Sequence, residues 1–385
     1  MFESPGAVMA VLSFVCALFF FLEKRTNWKV FEFFPPLLWI YATPVVLSNT
    51  GVIPSESAAY DVVRSYGLPI FIVLLLIGIN VGAAFRIMGK GVLVMLLGTV
   101  GVVIGGPVAY FVVHRWLSPD AWTGFGALAG SWIGGTGNMA AVAEALQTPG
   151  DMFGLAVLAD QAIYIVWLPI LLGSKAFADR FNAWTGVAEG RIEAMEEAIE
   201  AHAEETEPLA MRHFLYMAAI GFAILAISDY LAPMIPEIGE ILSTSTWRIL
   251  LLTTFGIALS FTPARRIPHT HEVAMAIVYI FVARMGAVAS LEGLADAPAF
   301  VLGAAIWISI HGAFCLLGAW LFKVDVHSAA IASAANVGGA ASAPVVAAYH
   351  RESLVPVSIL MALIGYALGT YMALLTARLC LLVGG

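Results

Sequence analysis

The sequence predicts an all-α polytopic membrane protein made of two inverted repeats, each with about five spanning helices and one glycine-tipped re-entrant hairpin. Three observations predict this fold class. Apolar runs long enough to cross a bilayer recur along the whole chain, and glycine-rich stretches interrupt two of them at matching places. Basic and acidic loops also exchange positions between the two halves.

The composition is that of a membrane protein. Of 385 residues, 61% are hydrophobic and only 11% are charged, whereas a soluble domain carries about 25% charged residues. The first apolar run is followed, not preceded, by Lys24 and Arg25, so we interpret it as a retained anchor with residue 1 outside. The twelve apolar segments lie near 8–22, 34–48, 68–84, 92–113, 121–147, 154–173, 213–234, 247–262, 273–290, 299–322, 327–349 and 354–380.

A polar linker, residues 175–212, divides the chain into a first repeat (1–174) and a second repeat (213–385). Its core, "EGRIEAMEEAIEAHAEETE", is rich in Glu and places Ile192, Met195 and Ile199 at helical spacing. This pattern predicts a solvated, cytoplasmic amphipathic helix that joins the two halves. A regulatory or partner-binding role is the alternative.

Matching glycines indicate that one unit is used twice. Gly78 corresponds to Gly286, an offset of 286 − 78 = 208. The pair Gly134–Gly135 corresponds to Gly338–Gly339, an offset of 338 − 134 = 204. Nearly constant offsets across so much of the chain favour an internal repeat, a common plan of secondary transporters.

The loop charges predict that the two repeats have opposite orientations. Wherever one repeat has a basic loop, the other has an acidic loop at the corresponding place, and Lys and Arg mark the cytoplasmic side. The three opposed sets are Lys24, Arg25 and Lys29 against Glu237 and Glu240; Glu56 and Asp61, beside one Arg64, against Arg265 and Arg266; and Arg86 and Lys90 against Glu292 and Asp296.

Inversion requires an odd number of crossings in each repeat, so one of the six segments cannot cross. We predict that segments 121–149 and 327–350 are re-entrant hairpins that turn at their glycines. Two arms of ten to twelve residues reach about 15–18 Å, half of the hydrocarbon thickness. Non-helical backbone at that depth is tolerated only inside protein or beside water. Gly150 then faces outside and Arg351 faces the cytoplasm.

The two hairpin tips are predicted to form one binding site. We expect Asn138 and Ser342 to cap the returning half-helices, whose free N–H groups and dipoles would favour an anion. Carbonyl groups of the entering half-helices would hold a small cation such as Na⁺. The alternative is that the glycines only permit close helix packing. The candidate residues are Gly134, Gly135, Thr136, Gly137 and Asn138 in the first tip, and Asn336, Gly338, Gly339 and Ser342 in the second.

Asp160 is the deepest acid within a clear spanning segment. Acids inside a membrane are costly, so we consider it a candidate carrier of the coupling ion. A buried ion pair with Arg284 is the structural alternative. His311 is interpreted as a core histidine with satisfied hydrogen bonds, and the sequence leaves the role of Glu144 open.

Three classes of function were compared. The favoured one is an ion-coupled (Na⁺ or H⁺) secondary transporter of a small, anionic organic solute, with no cofactor and no nucleic-acid partner. An ion channel or a cation/proton antiporter that uses the same hairpins, with Asp160 as carrier, is the second. An intramembrane enzyme is disfavoured because the sequence has no HExxH motif and no paired catalytic aspartates, and the lack of a nucleotide-binding loop argues against primary pumping.

Four stretches resemble a known family: "GSWIGGTGNMAAVAEAL", "LADQ", "ANVGGAASAPVVAA" and "LIGYALGTY". They are similar to the YjcL-like bacterial membrane proteins, a family of unknown function, over nearly the whole chain. More distantly, the doubled glycines resemble those of glutamate–sodium symporters and hydroxycarboxylate (citrate) carriers. That likeness implies a multi-pass protein of the bacterial inner membrane with an elevator mechanism, in which the hairpin-bearing core moves against a scaffold that forms a homodimer. The carriers' substrate-binding arginine has no match here, since Arg351 lies at the outer end of the second hairpin, and this argues against a di- or tricarboxylate.

Overall fold

The computed structural model of the protein describes residues 3–26, 28, 30–80, 87, 89–188, 190, 207–289 and 295–384. Over these residues the regular structure is helical, apart from one isolated antiparallel bridge between Ile238 and Leu242. Eight of the described helices are long and apolar enough to cross a membrane. The predicted class, an all-α multi-pass membrane protein, is therefore confirmed.

Each of the twelve apolar segments is helical over most of its described residues. The core of the predicted amphipathic linker, residues 191–206, lies outside the described residues. We number the main helices α1 (Pro5–Thr26), α2 (Pro36–Asn49), α3 (Ala58–Ile77, with a π-helical turn at Val63–Gly67), α4 (Lys90–Val113), α5 (Ala121–Ala145), α6 (Gly150–Gly173), α7 (Ala178–Thr185), α8 (Met211–Leu231), α9 (Thr244–Ser260), α10 (Thr270–Ala287), α11 (Ala297–Phe322), α12 (Val326–Val337), α13 (Gly339–His350) and α14 (Val355–Gly384).

Helix α5 is a hairpin, which we call hairpin 1. The backbone leaves the helical conformation at Gly134 (φ −138°, ψ 17°) and Gly135 (φ 71°, ψ −173°). Beyond this turn the chain returns along itself, because a Cβ placed on Gly130 would lie only 2.8 Å from the carbonyl oxygen of Asn138. In a straight helix two residues eight positions apart would be about 12 Å apart.

Helices α12 and α13 form the second hairpin, hairpin 2. They are separated at Gly338 (φ −139°, ψ −2°), and Gly339 has a left-handed φ of +59°. The open end of the hairpin is closed by a hydrogen bond between the Nδ1 atoms of His327 and His350, 2.9 Å apart. Both predicted hairpins are thus present, each with its turn at the predicted glycines.

The helices pack as two groups. Contacts between helices are dense within each group and fewer between the two groups. Within one group, Phe71 of α3 meets Phe281 of α10 (6.4 Å between ring centroids). Within the other, the indole N–H of Trp307 in α11 donates to the Val102 carbonyl of α4 (2.7 Å). Each group takes helices from both halves of the chain, so the predicted repeats interlock, and their boundaries stay a prediction. The frame group contains α1, α2, α3, α8, α9 and α10, and the hairpin group contains α4, hairpin 1, α6, α11, hairpin 2 and α14.

The bases of the two hairpins lie at opposite ends of the bundle. At the hairpin 1 end, Thr246 at the start of α9 donates to the Ala145 carbonyl (3.0 Å). At the hairpin 2 end, Lys175, which follows α6, donates to the Tyr349 carbonyl (2.7 Å). Because α6 begins beside hairpin 1 and ends beside hairpin 2, it runs the length of the bundle between them.

Candidate binding site at the hairpin tips

The glycine turns of the two hairpins touch. A Cβ placed on Gly339 would lie 3.5 Å from the Cα of Gly135. Both glycines have positive φ, +71° for Gly135 and +59° for Gly339, a conformation that side chains with a Cβ rarely adopt. The prediction that the tips meet is confirmed, and no layer of packed side chains separates them.

Tyr366 of α14 lies against both turns. Its Cε1 atom is 3.2 Å from the Cβ position of Gly135 and 3.5 Å from that of Gly339. Its hydroxyl accepts a hydrogen bond from the backbone N–H of Ala340 at 3.3 Å. That N–H belongs to the first turn of α13, where no carbonyl within the helix can accept it. Sequence reasoning missed Tyr366, although it lies within the quoted "LIGYALGTY" stretch.

Asn138 does not cap the returning arm of hairpin 1, so that prediction is wrong. The helical conformation resumes directly after Gly135, which places Asn138 within the first turn. Its side-chain amide donates instead to the Tyr366 carbonyl (2.9 Å) and is buried. Gly365 and Gly369 make this possible, because a Cβ on Gly369 would lie on the Asn138 amide, and one on Gly365 would collide with the carbonyl of hairpin 1 residue Ile133.

Ser342 is not an N-cap either. Helix α13 begins at Gly339, and its N-cap position is Gly338, which has no side chain. Ser342 lies in the first turn, is buried, and is close to Tyr164 of α6. The side chains of Asn138 and Ser342 were therefore predicted to have the wrong partners, although the two glycine turns were predicted correctly.

The other predicted tip residues serve mainly to pack the hairpins. Asn336 is fully buried and donates to Thr99 Oγ1 of α4 at 2.9 Å, while its Oδ1 has no hydrogen-bond partner among the described residues. Gly137 faces Leu75 of α3, and Thr136 is partly exposed. Asn138 and Asn336 thus tie the hairpins to α14 and α4 in this conformation, and their part in binding a solute stays a prediction.

Asp160 of α6 is held by neutral donors. Its carboxylate accepts hydrogen bonds from Trp132 Nε1 (2.8 Å), Ser131 Oγ (3.1 Å) and Gln161 Nε2 (3.3 Å). No ion pair joins it to Arg284, so the alternative interpretation of that pair is wrong for this conformation. Ser131 and Trp132 belong to the entering arm of hairpin 1, so these hydrogen bonds connect that arm to α6.

Two other predicted polar positions have clear partners. His311 is fully buried between the Gly98 carbonyl and Ser333 Oγ, both 3.0 Å away, which confirms it as a satisfied core histidine. Glu144, at the base of hairpin 1, forms an ion pair with Arg64 of the frame group (2.5 Å).

A cavity of about 890 Å³ reaches the tips from the hairpin 2 end. It lies between the groups, with Leu75 on the frame side and Ala340 and Leu363 on the hairpin side. The His271 ring stacks on Tyr366, with 5.7 Å between ring centroids and 13° between planes, and thus borders the tips. The full lining is Leu75, Gly78, Glu207, Arg265, Arg266, Ile267, Pro268, His269, Thr270, His271, Glu272, Ala340, Ile359 and Leu363.

Comparison with known proteins gives the family. A family model described as "Protein of unknown function (DUF819)" matches residues 10–382. The chain belongs to this family. It is also 28% identical over 363 residues to the "Uncharacterized membrane protein YjcL" of Bacillus subtilis (strain 168), covering 91% of this chain and 90% of that protein. The resemblance seen in the sequence is confirmed, and it extends over nearly all of the chain.

Proposed function

We propose that this DUF819 protein is an ion-coupled secondary transporter of a small anionic organic solute. One observation carries the proposal: the glycine turns of two hairpins meet at the boundary between two helix groups, beside a cavity that reaches them from one end. A solute at the tips would be released to the opposite side if the hairpin group moved against the frame group. This is the elevator mode of alternating access.

The packing supports inverted repeats. In the predicted repeat, α2 corresponds to α9 and α3 corresponds to α10. The repeat therefore relates the contact between α2 and α10 to the contact between α9 and α3. Both are among the extensive contacts of the frame group. The two hairpins, with bases at opposite ends, are images in the same sense. A molecule built from inverted repeats can open at either end by two equivalent movements in opposite directions.

The charges orient the protein. The ends of α6 and α9 at the hairpin 2 end are followed by Lys175 and by Arg265 and Arg266, while at the hairpin 1 end Glu144 and Asp229 are paired with Arg64 and Arg248. Lys and Arg mark the cytoplasmic side, and this supports a cavity that opens to the cytoplasm of a bacterial inner membrane in this conformation.

Asp160 supports the ion coupling. Its three partners are neutral donors, so its charge has no cation beside it among the described residues. A carboxylate in that setting is stabilised by a proton or a bound Na⁺. The same observation favours a second candidate function, a cation/proton antiporter in which Asp160 alone carries the transported ion.

Transport into proteoliposomes distinguishes these functions. Purified protein would be given radiolabelled mono-, di- and tricarboxylates under an inward Na⁺ or H⁺ gradient. The proposal expects that at least one anion accumulates above its equilibrium level and that an ionophore abolishes this accumulation. Ion movement that is independent of every anion in the panel would contradict the symport proposal and favour the antiporter.

A further inference from the structure

We propose that His327 and His350 form a pH-sensitive latch at the base of hairpin 2, which holds the two arms together at neutral pH and releases them when both rings are protonated. The latch depends on the hydrogen bonds of the two rings, on their burial and on the charged groups around them. It is independent of the solute that the protein transports.

The hydrogen bonds fix where the protons lie on the neutral pair. Nε2 of His350 is 2.9 Å from the Leu171 carbonyl of α6. A carbonyl oxygen only accepts, so this nitrogen carries a hydrogen, and Nδ1 of a neutral His350 ring is a bare acceptor. Nδ1 of His327, 2.9 Å from it, must therefore be the donor. The neutral pair has one arrangement that satisfies both contacts.

This arrangement accepts one extra proton but not two. A first proton can bind Nε2 of His327, and that ring still donates to His350 through Nδ1. A second proton can bind only Nδ1 of His350, where it meets the N–H of His327 across the 2.9 Å contact. Two donors on two positive rings then face each other, so the bond that joins α12 to α13 breaks at the second protonation.

Burial sets the direction of the pH dependence. His350 is 2% exposed and His327 is 9% exposed, so charged rings in these positions lose most of their hydration. This burial lowers the pKa of both rings from the usual value of 6.5. Rings on separated arms are hydrated and bind protons more readily. The closed arms are therefore most stable above about pH 6.5 and lose stability as the pH falls below it.

Three charged groups act on the pair from the elements packed against it. Asp325, at the N-cap of α12, favours protonation, whereas Lys175 after α6 and Arg351 after α13 oppose it. Other charged side chains of the neighbouring elements are exposed, namely Asp179, Arg180, Lys323 and Glu352. Two cations against one carboxylate disfavour the second proton, so release requires acidic pH.

The reactivity of a buried cysteine measures the release of the arms. Ala347 of α13 is fully buried in the same apolar cluster as Leu171, whereas Val345 of the same helix is 51% exposed. Maleimide labelling of Ala347→Cys and Val345→Cys would be compared in detergent at about pH 7.5 and pH 5.5. The ratio of the two rates removes the effect of pH on the thiol itself. We expect this ratio to rise about fivefold on acidification, as for the loss of one hydrogen bond. An unchanged ratio would overturn the inference.

Two substitutions distinguish the latch from other titrating groups. His327→Asn keeps an N–H that donates to His350, and its amide can rotate to accept from a protonated His350, so the ratio should stay low at both pH values. His350→Gln keeps a donor for the Leu171 carbonyl but has no acceptor at the Nδ1 position. Its ratio should be high already at neutral pH and should not change with acid. An equal rise in the wild-type and His327→Asn backgrounds would refute the latch.

Thermal unfolding keeps the test decisive if a cysteine variant fails to fold. Between the same two pH values, the Tm of the wild type should fall by several degrees more than that of His327→Asn. His269→Asn is the matched control, because His269 is exposed and has a positive φ that Asn also adopts, and it should respond like the wild type. Equal falls in Tm for the wild type and His327→Asn would contradict the latch, whatever solute the protein transports.

Discussion

The two hairpins have the same turn but different surroundings. Nearly all of hairpin 1 is buried, and Gly137 in its returning arm faces Leu75 of the frame group. In hairpin 2 the entering arm is equally buried, but one face of the returning arm is exposed, with Val345 at 51% and Tyr349 at 55% exposure. The frame group thus contacts the turn of hairpin 1, whereas Ala340 of hairpin 2 lines the cavity, an asymmetry that the proposed transport mechanism requires.

Specific polar contacts hold the covered hairpin in place. Arg64 of α3 bonds Glu144 Oε1 and Gln147 Oε1, both at 2.5 Å. Ser245 and Thr246 of α9 donate to the carbonyl of Ala145, at 3.1 and 3.0 Å. We call these contacts the clasp. They join the frame group to hairpin 1, so opening the hairpin 1 end requires that they break.

The largest expected effect comes from Gly365→Ala, which attacks the seat of hairpin 1 on α14. The new Cβ would lie 2.3 Å from the carbonyl oxygen of Ile133, and a backbone atom cannot move aside cheaply. Overpacking of this kind costs about 1–3 kcal/mol or more, so Tm in detergent should fall by several degrees. Gly6→Ala is the control, since nothing lies within 4 Å of its Cβ position. Equal Tm values for the two variants would refute the close fit.

Asp160→Asn should preserve the fold and abolish the ion dependence of transport. The new Oδ1 can accept from Trp132 Nε1, and the new amide can donate to Ser131 Oγ, so two of the three local hydrogen bonds survive and only the long one from Gln161 Nε2 is lost. The variant loses the charge that binds a proton or Na⁺. Uptake in proteoliposomes would be measured with and without the ion gradient, with Asp151→Asn in the same helix as the control. An unstable protein with normal ion dependence would show that Asp160 is structural.

Glu144→Gln should shift the conformational equilibrium toward opening at the hairpin 1 end. A partly exposed ion pair contributes about 1 kcal/mol or less, which corresponds to a change in population of up to about fivefold. The readout is the rate at which an impermeant thiol reagent labels Thr136→Cys, a partly exposed tip position. Asp229→Asn breaks a similar pair with Arg248, but both residues lie within the frame group, so it should not change that rate. A rate increase in Asp229→Asn alone would refute the clasp.

The two polar side chains of the tips are expected to contribute to stability independently of each other. Asn138→Ala removes a buried bond to the Tyr366 carbonyl, and we expect a loss of about 1–3 kcal/mol in the free energy of unfolding. Ser342→Ala removes a buried hydroxyl close to Tyr164 and should cost about 0.5–1.5 kcal/mol. Because their partners differ, the losses should add within about 0.5 kcal/mol. Strong non-additivity in denaturant unfolding would show that they share a site.

The sequence was informative where a feature repeats or where charge breaks an apolar run. The twelve segments, the two hairpins and the meeting of their tips follow from apolar length, doubled glycines and loop charges. The partners of Asn138, Ser342 and Asp160 did not follow, since they depend on which helices lie opposite, and that is set by packing across the whole bundle. Tyr366 gave no signal because an aromatic residue in an apolar run is typical of a core position.

The central claim is that the hairpins enter from opposite sides of the membrane, and the accessibility of single cysteines tests it most directly. Gly150 is a poor site, because a Cβ there would lie 2.8 Å from the Cα of Ala289, whereas Asp120 and Glu352 are exposed beside hairpin 1 and hairpin 2. The wild type is the control, since its three cysteines are buried. On intact cells an impermeant maleimide should label Asp120→Cys, and it should label Glu352→Cys only after permeabilisation. Labelling of both positions from the same side would contradict the inverted hairpins and the transport mechanism built on them.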